Sequence, residues 1–179
     1  VTAGTTAPQR RWLSWVVSTA GAFVLLGVLV AWSNVRGEAP LDSSAQATHP
    51  SSALLIERGA YLARAGNCMG CHSTAGGREF AGGRGVETPF GTVFAPNITP
   101  DEKTGIGDWS AAEFWRAMHH GRSRDGRLLY PAFPYPSYTN PTREDSDALY
   151  AFLRGVEPVE QANKDHDLRF PYSTQAALA

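Results

Sequence analysis

Cysteine and methionine are nearly absent: there are two of each in 179 residues. Two cysteines cannot make the dense disulfide framework of a small secreted scaffold. Charge is also sparse and balanced, with 16 Lys and Arg against 17 Asp and Glu and a net charge of −1. Bulk charge therefore gives no case for nucleic-acid binding. No internal repeat is visible, so a solenoid is excluded. What is plentiful is backbone punctuation, with 18 Gly and 12 Pro. That composition favours a loop-rich domain over an idealised bundle or sandwich.

No charge occurs from Trp12 to Val35. The apolar run Trp12–Trp32 has the length of a bilayer-spanning helix, with Trp12, Trp15 and Trp32 near its ends as interfacial aromatics. Arg10 and Arg11 precede it, so the positive-inside rule puts the N-terminus in the cytoplasm and the remainder in the periplasm. A cleaved signal peptide is the alternative, with Ala31-Trp32-Ser33 as a loose small-x-small site, although the run is long for a signal h-region. Residues 1–36 thus read as a membrane anchor or uncleaved signal. The small, polar stretch 37–52 reads as a linker. A globular domain is expected over 53–155, and 156–179 is a weakly patterned tail or connector.

Three helices can be placed in the domain. Ser52 is an N-cap for "ALLIERGAYLARAG", with Leu55, Ile56, Gly59, Leu62 and Ala63 facing inward. Ser110 and Glu113 make a capping box for "WSAAEFWRAMHHG", and Gly121 stops that helix. Thr142 and Asp145 cap "TREDSDALYAFLRG", which ends at Gly155. The stretches between these helices are long and irregular, which suits a core filled by something other than protein.

Both cysteines lie in "NCMGCH". On a helical turn Cys68 and Cys71 share one face, and His72 stands beside them. Two thiols can then bond the vinyl groups of one haem while the imidazole reaches its iron, the pattern of c-type haem attachment. Three other readings compete. A zinc site would need further ligands such as His119 and His120. A thioredoxin-like pair would need a βαβ context that Gly-rich loops do not provide. A disulfide would close a tiny loop and constrain little. The glycines of "GGREFAGGRG" are not a phosphate loop, since no Lys-Ser/Thr follows. They read as a loop passing close to a flat cofactor.

With "RGAYLARAGNCMGCHSTAGGREFAGG", "ETPFGTVFAPNITPDEKTGIGDWSAAEFWRAMHHG" and "DGRLLYPAFPYPSYT…DALYAFLRG" in view, the sequence resembles the cytochrome c subunits of membrane-bound bacterial dehydrogenases acting on alcohol, aldehyde or gluconate. The resemblance implies a mostly α, class I cytochrome c fold around one covalent haem c, following the N-terminal transmembrane helix. It also implies a helix crossing at which Gly59 and Tyr61 meet Leu149 and Tyr150. Family members usually carry three haem motifs, so a single motif marks either a single-haem relative or a first domain.

In many relatives a methionine in Tyr-Pro-Ala-Met-Pro-Tyr faces the haem iron opposite the histidine. Here Phe133 stands in "YPAFPY". The remaining candidates for a metal ligand there are Met118, then His119 or His120, then no strong sixth ligand at all. Met69, inside the attachment motif, is badly placed. A backbone carbonyl of Pro89 or Pro96 is expected to fix the His72 ring. Asn97 and Trp109 are expected to hydrogen-bond haem propionates, with Arg84 or Arg122 pairing with them.

The function implied is electron transfer, not catalysis. Haem iron would cycle between ferrous and ferric, taking electrons from a periplasmic dehydrogenase and passing them to quinone or another cytochrome or oxidase. Asp101 and Glu102 read as solvated loop charges, and no catalytic residue is assigned. The alternative, motivated by Phe133, is an open-site haem protein acting as gas sensor or peroxidase.

Overall fold

The computed structural model describes residues 8–35, 41, 52–130, 132, 137 and 140–178. The linker over 37–52 lies almost wholly outside these residues, as does Phe133. Two compact units are present, Val1–Glu38 with Ala179, and Ala39–Leu178. The first is helix α1, Pro8–Val35. Its 22-residue segment Trp12–Ser33 has a mean hydropathy of 2.1. At 1.5 Å per residue such a segment rises about 33 Å, long and apolar enough to cross a bilayer. Trp12, Trp15 and Trp32 are all exposed on it, while Arg10 and Arg11 are described in backbone only.

The second unit holds helices α2 (Ala53–Ala65), α3 (Cys68–His72), α4 (Ala111–His120) and α5 (Arg143–Arg154). Each of the three longer helices starts where its cap signal stands. The Ser52 side chain accepts from the Leu55 N–H. Both capping boxes, Ser110 with Glu113 and Thr142 with Asp145, are formed. Gly121 ends α4 in the left-handed region at φ 60°.

Helices α2 and α5 cross in close contact at Gly59. A Cβ there would sit 2.0 Å from the Ala148 carbonyl oxygen and 2.8 Å from Phe152 Cβ. Only glycine lets the two backbones approach this far. The crossing thus forms at Gly59, but against Ala148 and Phe152. Tyr61 points away and is 64% exposed. Below the crossing lies the apolar core of Ala63, Phe80, Ile106, Phe114, Leu149 and Leu153. The Arg58 guanidinium donates to Asp145 at 2.6 Å, tying α2 to the first turn of α5.

The structure adds a sheet where the sequence suggested only loop. Strands β1 (Gly85–Thr88) and β2 (Gly91–Phe94) form an antiparallel hairpin. The tail supplies β3, Asp167–Leu168, antiparallel to β2. Residues Val156–Leu178 belong to the same compact unit as the helices. Gln175 completes the wrap, since its side chain accepts from the Leu128 N–H and donates to the Leu128 carbonyl. Four-residue strands with glycine at their ends leave too little alternation to read from sequence.

Gly59→Ala should destabilise the chain by about 1–3 kcal/mol through overpacking. Leu54→Ala on the exposed side of the same helix should stay within about 0.5 kcal/mol. Equal denaturant midpoints for the two variants would rule out the crossing as drawn.

The hydrogen bond from Arg58, and then Thr142, holds the Asp145 carboxyl below its usual range. A depressed carboxyl pKa gives stability that is present above the unfolded value and lost as pH falls through the folded one. Asp145→Asn should thus lower stability by on the order of 1 kcal/mol at pH 7. The gap from the parent should narrow as pH falls below about 4. Thermal unfolding at both pH values reads this, and a gap independent of pH speaks against it.

Candidate haem site

Two residues, Gly66 and Asn67, turn the chain from α2 into α3. Asn67 takes φ 53°, a left-handed conformation that asparagine tolerates better than most residues. Helix α3 is one turn and a little more, and it consists of the attachment motif itself. Cys68 is half-buried and packs on the apolar core, while Cys71 is exposed. Both thiols are free, so the disulfide reading does not hold in this structure.

The ring of His72 is pinned from behind. Its Nδ1 lies 2.8 Å from the Pro96 carbonyl oxygen. A carbonyl only accepts, so Nδ1 carries the proton and the lone pair is on Nε2, as a metal ligand requires. Of the two carbonyls expected for this role, Pro96 fills it. That of Pro89 accepts from the Arg169 guanidinium instead. Burial pushes the His72 pKa down, against a smaller upward pull from Pro96, which favours the neutral ring. Burial likewise pushes the Cys68 thiol up.

Pro96 is itself held by its neighbours. The Gly82 N–H donates to the His72 carbonyl at 2.7 Å. Gly82 has φ +77°, and a Cβ on it would fall 2.4 Å from the Pro96 carbonyl carbon. Gly83 donates to Ala95, Ala95 to Arg84 and Ile98 to Phe80, continuing the β1–β2 pairing up to the histidine. The Gly-rich loop expected to pass close to a cofactor passes close to the Pro96 backbone that holds the His72 ring.

Asn97 is enclosed by protein partners. It is 2% exposed. Its amide donates to Thr104 Oγ1 and the Val159 carbonyl, and its Oδ1 accepts from the Thr99 N–H and hydroxyl. Both donors and both lone pairs are used within the protein. Arg122 donates to the Gly126 carbonyl. Trp109 packs half-buried against the core, and its carbonyl accepts from the Tyr150 hydroxyl. Asp101 Oδ1 accepts from the N–H groups of Lys103 and Thr104 and from the Thr104 hydroxyl, a local loop cap.

Met118 packs beside Phe114 on the core that Cys68 also touches. His119 stacks on Trp115 at a centroid distance of 3.5 Å. Its buried Nδ1 has no hydrogen-bond partner among the described residues. His120 is exposed. Among the described residues no three His, Cys, Asp or Glu side chains gather as a metal site, so the zinc reading has no support.

Residues 56–157 match the Cytochrome c family. The chain belongs to that family. This cytochrome c domain is 51% identical over 140 residues to the gluconate 2-dehydrogenase cytochrome c subunit of Pantoea cypripedii, covering 78% of this chain and 32% of that protein. The alcohol dehydrogenase (quinone) cytochrome c subunit of Gluconacetobacter polyoxogenes is 46% identical over 132 residues, covering 73% of this chain and 28% of that protein. The fructose dehydrogenase cytochrome subunit of Gluconobacter japonicus is 39% identical, covering 84% and 31%. The chain spans less than a third of the length of these curated relatives.

A cytochrome c domain carries haem c, and the residues present fit that group. Two free thiols and a neutral imidazole, its Nδ1 already committed, share one helical turn at the edge of an apolar core. Gln161 and Asn163 carry no motif: the Gln161 amide donates to the Ala81 carbonyl and the Asn163 side-chain oxygen accepts from the Asn97 N–H, contacts that span 80 and 66 residues of sequence.

Gly82→Ala should cost about 1–3 kcal/mol and loosen the His72–Pro96 bond. Denaturant unfolding and the imidazole nitrogen shifts of His72 check the two effects. Unchanged nitrogen shifts in a destabilised variant would separate Gly82 from the ligand brace.

Proposed function

We propose that the chain is an electron-carrying part of a membrane-anchored c-type cytochrome that accepts electrons from a periplasmic dehydrogenase. The observation that carries this reading is the His72 imidazole, held neutral with Nδ1 bound to Pro96 and Nε2 left for iron beside two free thiols. Haem c, when bound, supplies a one-electron ferrous–ferric couple. The chain's own task is to hold it: Cys68 and Cys71 as thioethers, His72 as proximal ligand.

In this reading Met118 would supply the second protein ligand to the iron. It packs against the same apolar core as Cys68, while the His119 ring stacks on Trp115. A methionine opposite histidine raises the reduction potential, which suits accepting electrons. The single motif implies one haem in this chain. Helix α1 is the inner-membrane anchor, with the haem domain on the periplasmic side. The names of the relatives support a dehydrogenase as donor. Quinone or a further cytochrome is the acceptor.

Two measurements test this. Haem should stay with the chain on a denaturing gel and be lost in the Cys68→Ala, Cys71→Ala double variant. A colourless parent chain sinks the proposal. Met118→Ala should alter the optical and electron-paramagnetic spectra of the oxidised protein, and identical spectra would exclude Met118.

A further inference from the structure

The peptide group between Pro96 and Asn97 is used at both ends. Its carbonyl accepts the His72 Nδ1 proton at 2.8 Å. Its N–H donates to the Asn163 side-chain oxygen at 2.6 Å. The Asn163 amide in turn donates to the Thr104 carbonyl at 2.9 Å, which fixes its orientation. A chain of hydrogen bonds therefore runs from imidazole through one peptide to a side chain in the C-terminal tail. Bonds in such a chain polarise one another. An acceptor on the N–H draws the peptide dipole tighter and makes the carbonyl oxygen a better acceptor.

We propose that Asn163 is a positioning residue that tunes the proximal ligand through the Pro96–Asn97 peptide. This rests on the reading of His72 as the iron ligand. A stronger bond at Nδ1 gives the imidazole more anionic character, and a more basic ligand favours ferric over ferrous iron. Asn163 therefore holds the reduction potential lower than the same site would have without it. It lies beyond the stretch matched to the family, which ends at residue 157.

A neighbouring tail residue supplies the control. The Gln161 amide donates to the Ala81 carbonyl at 2.8 Å. Its side chain ends on the Ala81 carbonyl and makes no bond to the Pro96–Asn97 peptide or to the His72 ring. Removing it loosens the tail to a comparable extent without altering the bond at the imidazole.

The test uses the full chain with haem attached. Asn163→Leu removes the acceptor and should shift the ferric–ferrous equilibrium toward ferrous by about three- to tenfold. Tenfold corresponds to about 59 mV for a one-electron couple. Asn163→Asp keeps the oxygen and adds charge, so the shift should have the opposite sign. In the reduced state the His72 Nδ1 proton resonance should move upfield in the first variant and downfield in the second. Gln161→Leu should lower the thermal midpoint and leave both readouts in place. The inference is overturned if the two Asn163 variants move the potential in the same direction, or if neither moves it. It is equally overturned if Gln161→Leu moves it as far as Asn163→Leu. Where Asn163→Leu does not load haem, the isosteric Asp variant decides alone, and an unchanged proton resonance there refutes the tuning. A parent chain without covalent haem instead overturns the functional reading, and this inference with it.

Discussion

The hydrogen bond between His72 and the Pro96 carbonyl is the constraint around which the rest of the domain is arranged. Its contribution to stability is modest, about 0.5–1.5 kcal/mol for a neutral pair. What it fixes is chemical identity. A ring free to exchange tautomers would offer either nitrogen, whereas this one offers only Nε2. To do so the carbonyl must be held still, although Pro96 lies in irregular chain with no helix or strand of its own. The Gly82 contact, the pairings from Phe80 to Ile98 and the tail all converge on that one oxygen.

Long loops in a compact domain are normally disfavoured, because their backbone groups lose water without gaining partners. Here side-chain amides and hydroxyls stand in for the missing ladder. Asn97, Thr99, Asp101, Thr104, Gln161 and Asn163 satisfy one another and the main chain between residues 97 and 163. The loops are therefore fixed structures built from polar contacts, next to an apolar core that is small for the chain's size.

This division explains what could be read from the sequence. Helix starts are local: Ser110 and Glu113 stand three residues apart and announce a capping box before any fold is known. The attachment motif is contiguous and reads the same way. The inward stripe of α2 follows from its period, and Gly59 from its low helix propensity. Tyr61 failed because the resemblance assigned it a partner that the rotation of α2 does not allow. The contacts of Asn97 were not legible, because an asparagine in a loop looks free to bind a ligand. Its four partners lie at Thr99, Thr104 and Val159, and nothing local announces the last of these. The tail was illegible for the same reason. Its amides pair across long separations, and side-chain pairing of that kind leaves no periodicity.

The two halves of the design also carry different duties. The α2–α5 crossing buries Gly59 against backbone and tolerates no added atom, so it sets where α3 begins and hence where both thiols stand. The loops and tail carry little apolar area and set where the Pro96 carbonyl stands. Changes in the helices should therefore act on stability, whereas changes in the tail can act on the electronic character of the ligand at little cost in packing. On the proposed reading, a cytochrome whose potential must match its redox partner would be adjusted through the tail without disturbing the helices that position the Cys68–His72 turn.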